Sequence, residues 1–238
     1  ASLAQTLTEA FDARLVSAGD RLAPERELAD AYGSSRSTGR QALASLERQG
    51  RILRAVGRGG GTFVCERKLD RDLSEFRGVS DHFQQQGVAV RAELISATQR
   101  PARPGLAAAL EIAPGDPIYE IVRVRHAHDK PVALERSCFT AAHFPELLTH
   151  DLSERIYPLM RSEYGLAPEC AREYLEALPA ESDEATVLQI PQGTPVMYVE
   201  RIGYTLAGQP LEFSREFFRG DRTRVVIWTP YRGTDPGF

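Results

Sequence analysis

Cysteine is scarce in this chain of 238 residues, and long apolar runs are absent. The three cysteines, Cys65, Cys138 and Cys170, lie far apart and show no CxxC spacing. That pattern argues against a disulfide framework or a zinc site and fits a reducing cytosol. No apolar run approaches the roughly 18 residues of a membrane span, and no signal-peptide pattern is visible. We therefore expect a cytoplasmic protein with no metal, no cofactor and no membrane partner.

The net charge of −4 is unevenly distributed along the chain. Residues 31–64 hold six arginines and one acidic residue, whereas residues 78–238 hold 16 basic and 22 acidic residues. A basic segment before an acidic remainder suggests an anionic partner, such as a nucleic acid, for the first part. Charge alone leaves a solvated charged face as the alternative.

The first 64 residues show the pattern of three helices followed by a β-hairpin. Apolar residues recur every four positions from Leu3 to Phe11, as on an amphipathic helix. A second helix can begin at Pro24, and Ser34 or Ser35 can cap a third. We predict helices near residues 1–16, 24–32 and 35–49 and strands at 52–56 and 62–64. This order, with a glycine-rich turn between the strands, predicts a winged helix-turn-helix.

The third helix carries the residues that would read DNA. Arg36 and Arg40 are one helical turn apart, so both reach the same stretch of a major groove, where arginine binds phosphate or guanine. Arg58 at the tip of the glycine-rich turn could enter a minor groove. Ser35, Ser37 and Thr38 can donate hydrogen bonds to phosphates near the start of the helix. A small helical domain with an arginine-rich surface is the alternative that the pattern leaves open.

Three ordered blocks of this segment resemble the GntR family of bacterial transcription regulators. They are LAPERELA at 22–29, SSRSTGRQAL at 34–43 and GRGGGTFV at 57–64. The resemblance implies DNA binding by the third helix and the hairpin turn, or wing. The DNA contacts that it implies are Arg26, Ser35, Arg36, Ser37, Thr38, Arg40, Gly57 and Arg58.

The second part of the chain contains an internal repeat. Residues 110–117 resemble residues 188–195 at an offset of 78, and the same offset aligns Arg123 with Arg201. Each copy follows a short helix and leads into two strands, which suggests two hairpin units in one antiparallel sheet, with helices at 141–148 and 153–164. The class is therefore α+β. We expect a DNA-binding domain at 1–68, a charged linker at 69–80, a second domain at 81–230 and a C-terminal tail at 231–238.

Two arginines of the first predicted hairpin lie on one face of a strand. Arg123 and Arg125 are two residues apart, and such a pair can bind a phosphate or carboxylate through forked hydrogen bonds. Spacing alone favours the simpler interpretation that they lie on the exposed polar face of a half-buried sheet. Glu135 and Glu212 could form a carboxylate acid/base pair, but the sequence gives no separation between them.

Short motifs across residues 81–228 resemble the UTRA effector domain of HutC-like GntR regulators. They include GDPI at 115–118, RVR at 123–125, KPV at 130–132 and FPEL at 144–147. The resemblance implies a chorismate-lyase-like antiparallel sheet with helices that enclose a small-molecule pocket, and it implies dimer contacts. The effector positions that it implies are Arg123, Arg125, Arg155, Tyr157, Glu212 and Phe218. Arg155 stands where the family pattern has serine, and a third arginine favours a strongly anionic effector.

The sequence as a whole favours a ligand-responsive transcription repressor rather than an enzyme. We expect a homodimer on a palindromic double-stranded operator, which a small anionic metabolite releases. One alternative is a lyase or hydrolase on the second domain. A nonspecific nucleic-acid-binding protein is the other, and equal affinity for operator and scrambled DNA would indicate it.

Overall fold

The computed structural model describes residues 2–13, 15–57, 59–65, 68–153 and 155–229. The chain divides after Lys68 into two compact units, which are described separately. The expected α+β class is confirmed. Arg58 and the segment expected as a C-terminal tail, 231–238, lie outside the described residues.

The first unit contains the predicted three helices and hairpin. Its elements are α1 (Leu3–Asp12), α2 (Glu25–Ala31), α3 (Arg36–Arg48), β1 (Ile52–Ala55) and β2 (Gly61–Val64). The two strands pair in antiparallel orientation. Leu7, Leu43 and Leu46 belong to one buried cluster that joins the helices to the hairpin. The apolar positions at helical spacing therefore form the core, as the periodicity predicts.

The strands of the second unit are β3 (Leu69–Asp72), β4 (Val90–Pro101), β5 (Pro117–Ala127), β6 (Lys130–Thr140), β7 (Cys170–Pro179), β8 (Pro195–Tyr204), β9 (Pro210–Arg219) and β10 (Thr223–Val226). The helices are α4 (Val79–Gln85), α5 (Pro104–Leu110), α6 (Ile156–Tyr164) and α7 (Ser182–Leu188). Six of the strands form an antiparallel sheet in the order β4-β5-β6-β9-β8-β7. A separate pair of strands, β3 and β10, is parallel.

The internal repeat of the sequence is a structural repeat. Each copy is a strand, a short helix and a hairpin, namely β4-α5-β5-β6 and β7-α7-β8-β9, and the two hairpins meet where β6 pairs with β9. Both short helices end on a left-handed residue, Glu111 or Gln189, each with φ of 53°. Glycines with positive φ follow at Gly115 and Gly193. The repeated motif therefore encodes a helix C-cap and the turn into the next strand.

Helices cover both faces of this sheet. On one face, Val122 and Val124 of β5 belong to the same buried cluster as Leu188 of α7. On the other face, Ile121 of β5 packs in a cluster with Met160 of α6. Because both faces of the sheet are covered, the residues of β5 are buried whichever face they point to.

Residues 69–80, which we expected to be a linker, are built into the second unit. β3 pairs with β10 through the register Leu69↔Thr223 to Asp72↔Val226. The backbone N–H of Asp72 also donates to Nε2 of His82 on α4 at 2.6 Å. Leu69 and Arg71 are buried in alternation along this strand. The many charged residues of this segment led to the prediction of a linker, whereas the structure has a strand there whose alternate residues point inwards.

The prediction of a helix over residues 141–148 is wrong. The structure has two short 3₁₀ turns there, Ala141–His143 and Leu147–Thr149. Proline disfavours a helical conformation in the residue before it, and Phe144, before Pro145, has φ of −133° and ψ of 61°. Glu146 then adopts φ of 61°, so a continuous helix cannot form.

Candidate functional site

The exposed start of α3 gathers most of the predicted DNA-contacting residues. Ser35 is the N-cap, and its Oγ accepts the backbone N–H of Thr38 at 3.2 Å. The hydroxyls of Ser37 and Thr38 lie 2.7 and 2.8 Å from the same oxygen. Arg36 in the first turn and Arg40 in the second turn are both exposed. The first two turns of α3 therefore present hydroxyls, backbone N–H groups and two guanidinium groups together, which suits a phosphate backbone and base edges.

Arg26 and the wing lie apart from this turn in the chain. Arg26 is exposed on α2 and forms an ion pair of 3.8 Å with Asp30. Gly57 is exposed with φ of 113°, a value that strains any other residue. A Cβ on Gly60 would collide with the backbone of Ala55, which explains a glycine at this position of the wing.

The second candidate site is a buried cluster of charges on the face of the sheet that α4 and α6 cover. Spacing favoured an exposed face for Arg123 and Arg125, and the structure corrects this, because their exposed fractions are 3% and 4%. The cavity beside them is lined by Gly78, Val79, Ser80, Asp81, Arg123, Arg125, Glu135, Ser137, Arg155, Ile156, Tyr157, Pro158, Arg201, Glu212 and Glu216. The inward-facing charges come from β5, β6, β8 and β9, and the two helices cover them.

One half of the cluster is centred on Glu135. Arg125 donates a forked pair of hydrogen bonds to its carboxylate, both of 2.9 Å, and Arg123 Nη2 lies 3.1 Å from Oε2. Arg125 also donates to the Ser80 hydroxyl at 2.7 Å. Burial by itself raises the pKa of Glu135, but the two guanidinium groups outweigh burial and lower the pKa to about 2. The two arginines therefore favour the ionised form of Glu135.

The other half of the cluster is centred on Arg201. Its Nε lies 2.6 Å from Glu173 Oε1 and its Nη1 lies 3.0 Å from Glu216 Oε1. Arg71, from β3, contacts the same oxygen of Glu173 at 3.3 Å. Sequence reasoning missed Arg71, Glu173, Arg201 and Glu216 as members of the site. The offset of 78 that aligns Arg123 with Arg201 was the available signal for this second half.

A tyrosine and a carboxylate extend the half centred on Arg201. The Tyr157 hydroxyl donates to Glu212 Oε2 at 2.5 Å, and Arg201 Nη1 lies 3.4 Å from the tyrosine oxygen. Burial raises the pKa of both Tyr157 and Glu212. Glu135 on β6 stands directly opposite Glu216 on β9 in the strand register. Burial, assisted by the negative charge of Glu135, outweighs the opposing effect of Arg201 and raises the pKa of Glu216 to about 7.

The remaining two predicted effector residues have different positions. Arg155 is the N-cap residue of α6 at the cavity rim, where Nη1 lies 2.7 Å from Asp81 Oδ1. Phe218 is fully buried in an apolar cluster with Val79 and Phe83 of α4. The structure therefore brings Arg123, Arg125, Arg155, Tyr157 and Glu212 to one cavity, and it places Phe218 in the neighbouring core.

The raised pKa of Glu216 predicts a pH dependence of stability. Because the folded state holds the proton more tightly than the unfolded state, the contribution of Glu216 is present below about pH 4.5 and is lost as pH rises to about 7. Relative to the wild type, Glu216→Gln should gain about 3 kcal/mol in the free energy of unfolding between pH 5 and pH 8. Urea unfolding of both proteins at the two pH values measures this.

The difference between the two proteins isolates Glu216 from His82. Burial lowers the pKa of His82, so its contribution rises with pH in both proteins and cancels. A constant difference across this pH range would show that Glu216 is ionised throughout.

Fold and site together define a ligand-responsive DNA-binding regulator: a winged helix with an exposed arginine-bearing helix, joined to a sheet domain with a charged cavity. The chain belongs to the GntR family of bacterial regulatory proteins. Residues 1–64 match the family model "Bacterial regulatory proteins, gntR family", and residues 85–224 match the UTRA domain. The family is one of transcription regulators and not of enzymes, and no match supports the lyase or hydrolase alternative.

Curated relatives and solved structures agree with this membership. The chain is 33% identical over 210 residues to the HTH-type transcriptional repressor NagR of Bacillus subtilis, which covers 86% of this chain and 84% of the relative. It is 31% identical over 189 residues to the histidine utilization repressor of Pseudomonas aeruginosa, covering 76% and 71%. The crystal structure of PhnF from Mycobacterium smegmatis superposes with a TM-score of 0.78 at 26% identity, covering 97% of this chain and all of that chain.

In the part of the chain that the structure describes, no helix is both long and apolar enough to cross a membrane. Among the same residues, no group of three or more histidine, cysteine, aspartate and glutamate side chains is placed to hold a metal ion.

Proposed function

We propose that this protein is a homodimeric repressor that binds a palindromic operator and leaves it when a small anionic metabolite enters the charged cavity. The observation that carries the proposal is the cluster of arginines inside the UTRA domain of a chain that also bears a winged helix. Two curated relatives have the word repressor in their names, which supports the same sign of regulation here.

The first unit supports binding to DNA through α3. In a helix-turn-helix the second helix of the motif enters the major groove with its N-terminal residues at the base edges. Here that end carries Arg36 and Arg40 beside the hydroxyls of Ser35, Ser37 and Thr38. A two-fold dimer would present two such helices to a palindrome. We assign base contacts to the arginines and phosphate contacts to the hydroxyls, with Arg26, Gly57 and Arg58 as further contacts.

The second unit supports an effector that is anionic and also rich in hydrogen-bond donors. The arginines of the cavity lining are Arg123, Arg125, Arg155 and Arg201, and its acidic residues are Asp81, Glu135, Glu212 and Glu216. Because guanidinium and carboxylate groups are equal in number, a dianion alone would leave several carboxylates without donors. A monoanionic or hydroxylated metabolite satisfies both kinds of group. The third arginine suggested a strongly anionic effector, and the balance of charges in the cavity restricts that expectation to metabolites of these two kinds.

Release of the DNA requires that the effector bind the DNA-free state of the protein more tightly than the DNA-bound state. An effector that binds the DNA-bound and DNA-free states equally shifts nothing. Fluorescence anisotropy of labelled DNA from upstream of the protein's own gene, with pooled anionic metabolites, tests the proposal. Release by one pool supports an effector-controlled repressor, and operator binding that no pool changes would contradict the anionic effector.

Arg123→Gln should weaken the response to that pool. The glutamine keeps one hydrogen-bond donor near Glu135, while Arg125 still holds the carboxylate through its forked contact. We expect at least a tenfold higher effector concentration for half-release, because a charge-assisted hydrogen bond contributes about 1.5–3 kcal/mol. Circular dichroism checks the fold of the variant. Release at wild-type concentrations would place the effector elsewhere.

A further inference from the structure

Arg155 and Asp81 form an ion pair at the boundary between the charged cavity and open grooves. Arg155 lines the inner cavity, whose free volume is about 30 Å³, and it also lines two grooves of about 670 and 470 Å³. Asp81 lines the inner cavity and the larger groove. An inner space of that size holds a water molecule or two, so a metabolite bound at the charged cavity must extend into these grooves. An anion that approaches from the grooves therefore meets this pair first.

The four arginines of the cavity differ in the free-energy cost of losing their carboxylate partners. The partners of Arg123, Arg125 and Arg201 include Glu135 and Glu216, whose exposed fractions are 3% each. A carboxylate that loses its partner there stays buried, and the penalty is large. The side chains of Arg155 and Asp81 are 51% and 29% exposed. Asp81 can turn to water, and an exposed pair contributes only a factor of about 1.5 to 5 in an equilibrium constant.

We propose that Asp81 is an internal competitor for the anionic group of the effector: its carboxylate occupies Arg155 in the empty site, and effector binding displaces it. This rests on the proposed function, since it assumes an anionic effector in this cavity. Ser80, the neighbour of Asp81, makes the matching contact with Arg125 at 2.7 Å. The start of α4 thus holds two arginines of the site with a hydroxyl and a carboxylate, as a bound oxyanion would.

Binding of inorganic phosphate to the full chain, measured by isothermal titration calorimetry at constant ionic strength, tests the proposal. The variants are Asp81→Asn, Arg155→Gln and the double variant. Asp81→Asn should bind phosphate about two- to fivefold more tightly than the wild type. Arg155→Gln should bind it about fivefold or more weakly, and the double variant should bind it like Arg155→Gln alone.

Two controls separate competition from other effects. Asp129→Asn removes the same charge from an exposed turn, where asparagine tolerates the φ of 59°, and it should leave phosphate affinity unchanged. Arg123→Gln tests the proposed site itself. Thermal melts followed by circular dichroism verify that each variant is folded.

Each outcome decides the proposal. Tighter binding in Asp81→Asn that disappears in the double variant supports competition for Arg155. If Asp81→Asn tightens phosphate binding equally with and without Arg155, or if Asp129→Asn tightens it as much as Asp81→Asn, then Asp81 acts through general charge repulsion. Either result would overturn the proposal. Loss of binding in Arg123→Gln without an effect of Asp81→Asn would overturn it while the proposed function stands. If neither the wild type nor Asp81→Asn binds phosphate and no anionic pool releases DNA, both proposals fail.

Discussion

Replacing Arg40 with alanine is expected to weaken operator binding by about 5- to 150-fold, because a good arginine contact to a base contributes about 1–3 kcal/mol of discrimination. The side chain of Arg40 is 71% exposed on α3, and its Nε forms an ion pair of 3.3 Å with Glu25 on α2. An exposed pair of this kind costs little to break. Arg40 can therefore exchange Glu25 for DNA with most of the interaction energy retained.

Fluorescence anisotropy on operator and scrambled DNA at several salt concentrations measures this effect. Arg48→Ala is the matched control, since it removes the same charge from the other end of α3, about 18 Å from Arg36. Arg40→Ala should lose affinity for the operator more than for scrambled DNA if Arg40 reads bases, and equally for both if it contacts phosphate. Unchanged operator affinity would contradict the assignment of α3 as the recognition helix.

Replacing Arg201 with methionine is expected to lower the free energy of unfolding by about 3–5 kcal/mol at pH 8, the usual effect of removing one partner from a buried ion pair. The side chain of Arg201 is 2% exposed and contacts Glu173 at 2.6 Å and Glu216 at 3.0 Å. Methionine fills the space of the aliphatic stem but leaves two carboxylates with weaker compensation. Urea unfolding followed by circular dichroism measures the loss.

Two further variants make the interpretation specific. Arg215→Met, on β9, removes a 54% exposed arginine whose ion pair with Glu200 is 3.6 Å long, and it should change stability by no more than about 1 kcal/mol. Combining Arg201→Met with Glu216→Gln should restore part of the loss, because one of the two buried charges is then gone. Equal losses for Arg201→Met and Arg215→Met would show that the buried network does not depend on Arg201.

Much of the first unit follows from local sequence rules. Helical spacing of apolar residues, a serine N-cap at Ser35 and the glycines of the wing each act within a few residues of the chain. The structure confirms the three helices, the hairpin and the exposed start of α3. Base contacts, by contrast, depend on the DNA and stay a prediction.

The second unit shows where local rules stop. The repeat with an offset of 78 predicts two hairpin units in one sheet, and the structure confirms them. The interpretation of Arg123 and Arg125 as an exposed polar pair was wrong, because spacing along a strand reports which residues share a face and not what covers that face. α4 and α6, distant in sequence from β5, bury it.

The sequence by itself determined the family and the α+β class, because motifs, caps and periodicity act over short stretches of chain. A DNA-reading helix and an anion-binding strand stay predictions of the same motifs. Only the tertiary structure decided that Arg71, Glu173, Arg201 and Glu216 complete the charged cluster. It also placed Asp81 against Arg155 and moved Phe218 into the core. These facts depend on contacts between elements far apart in the sequence, such as the Arg71–Glu173 pair of the cluster, whose members are 102 residues apart. Charge balance in a buried site is a sum over all such contacts.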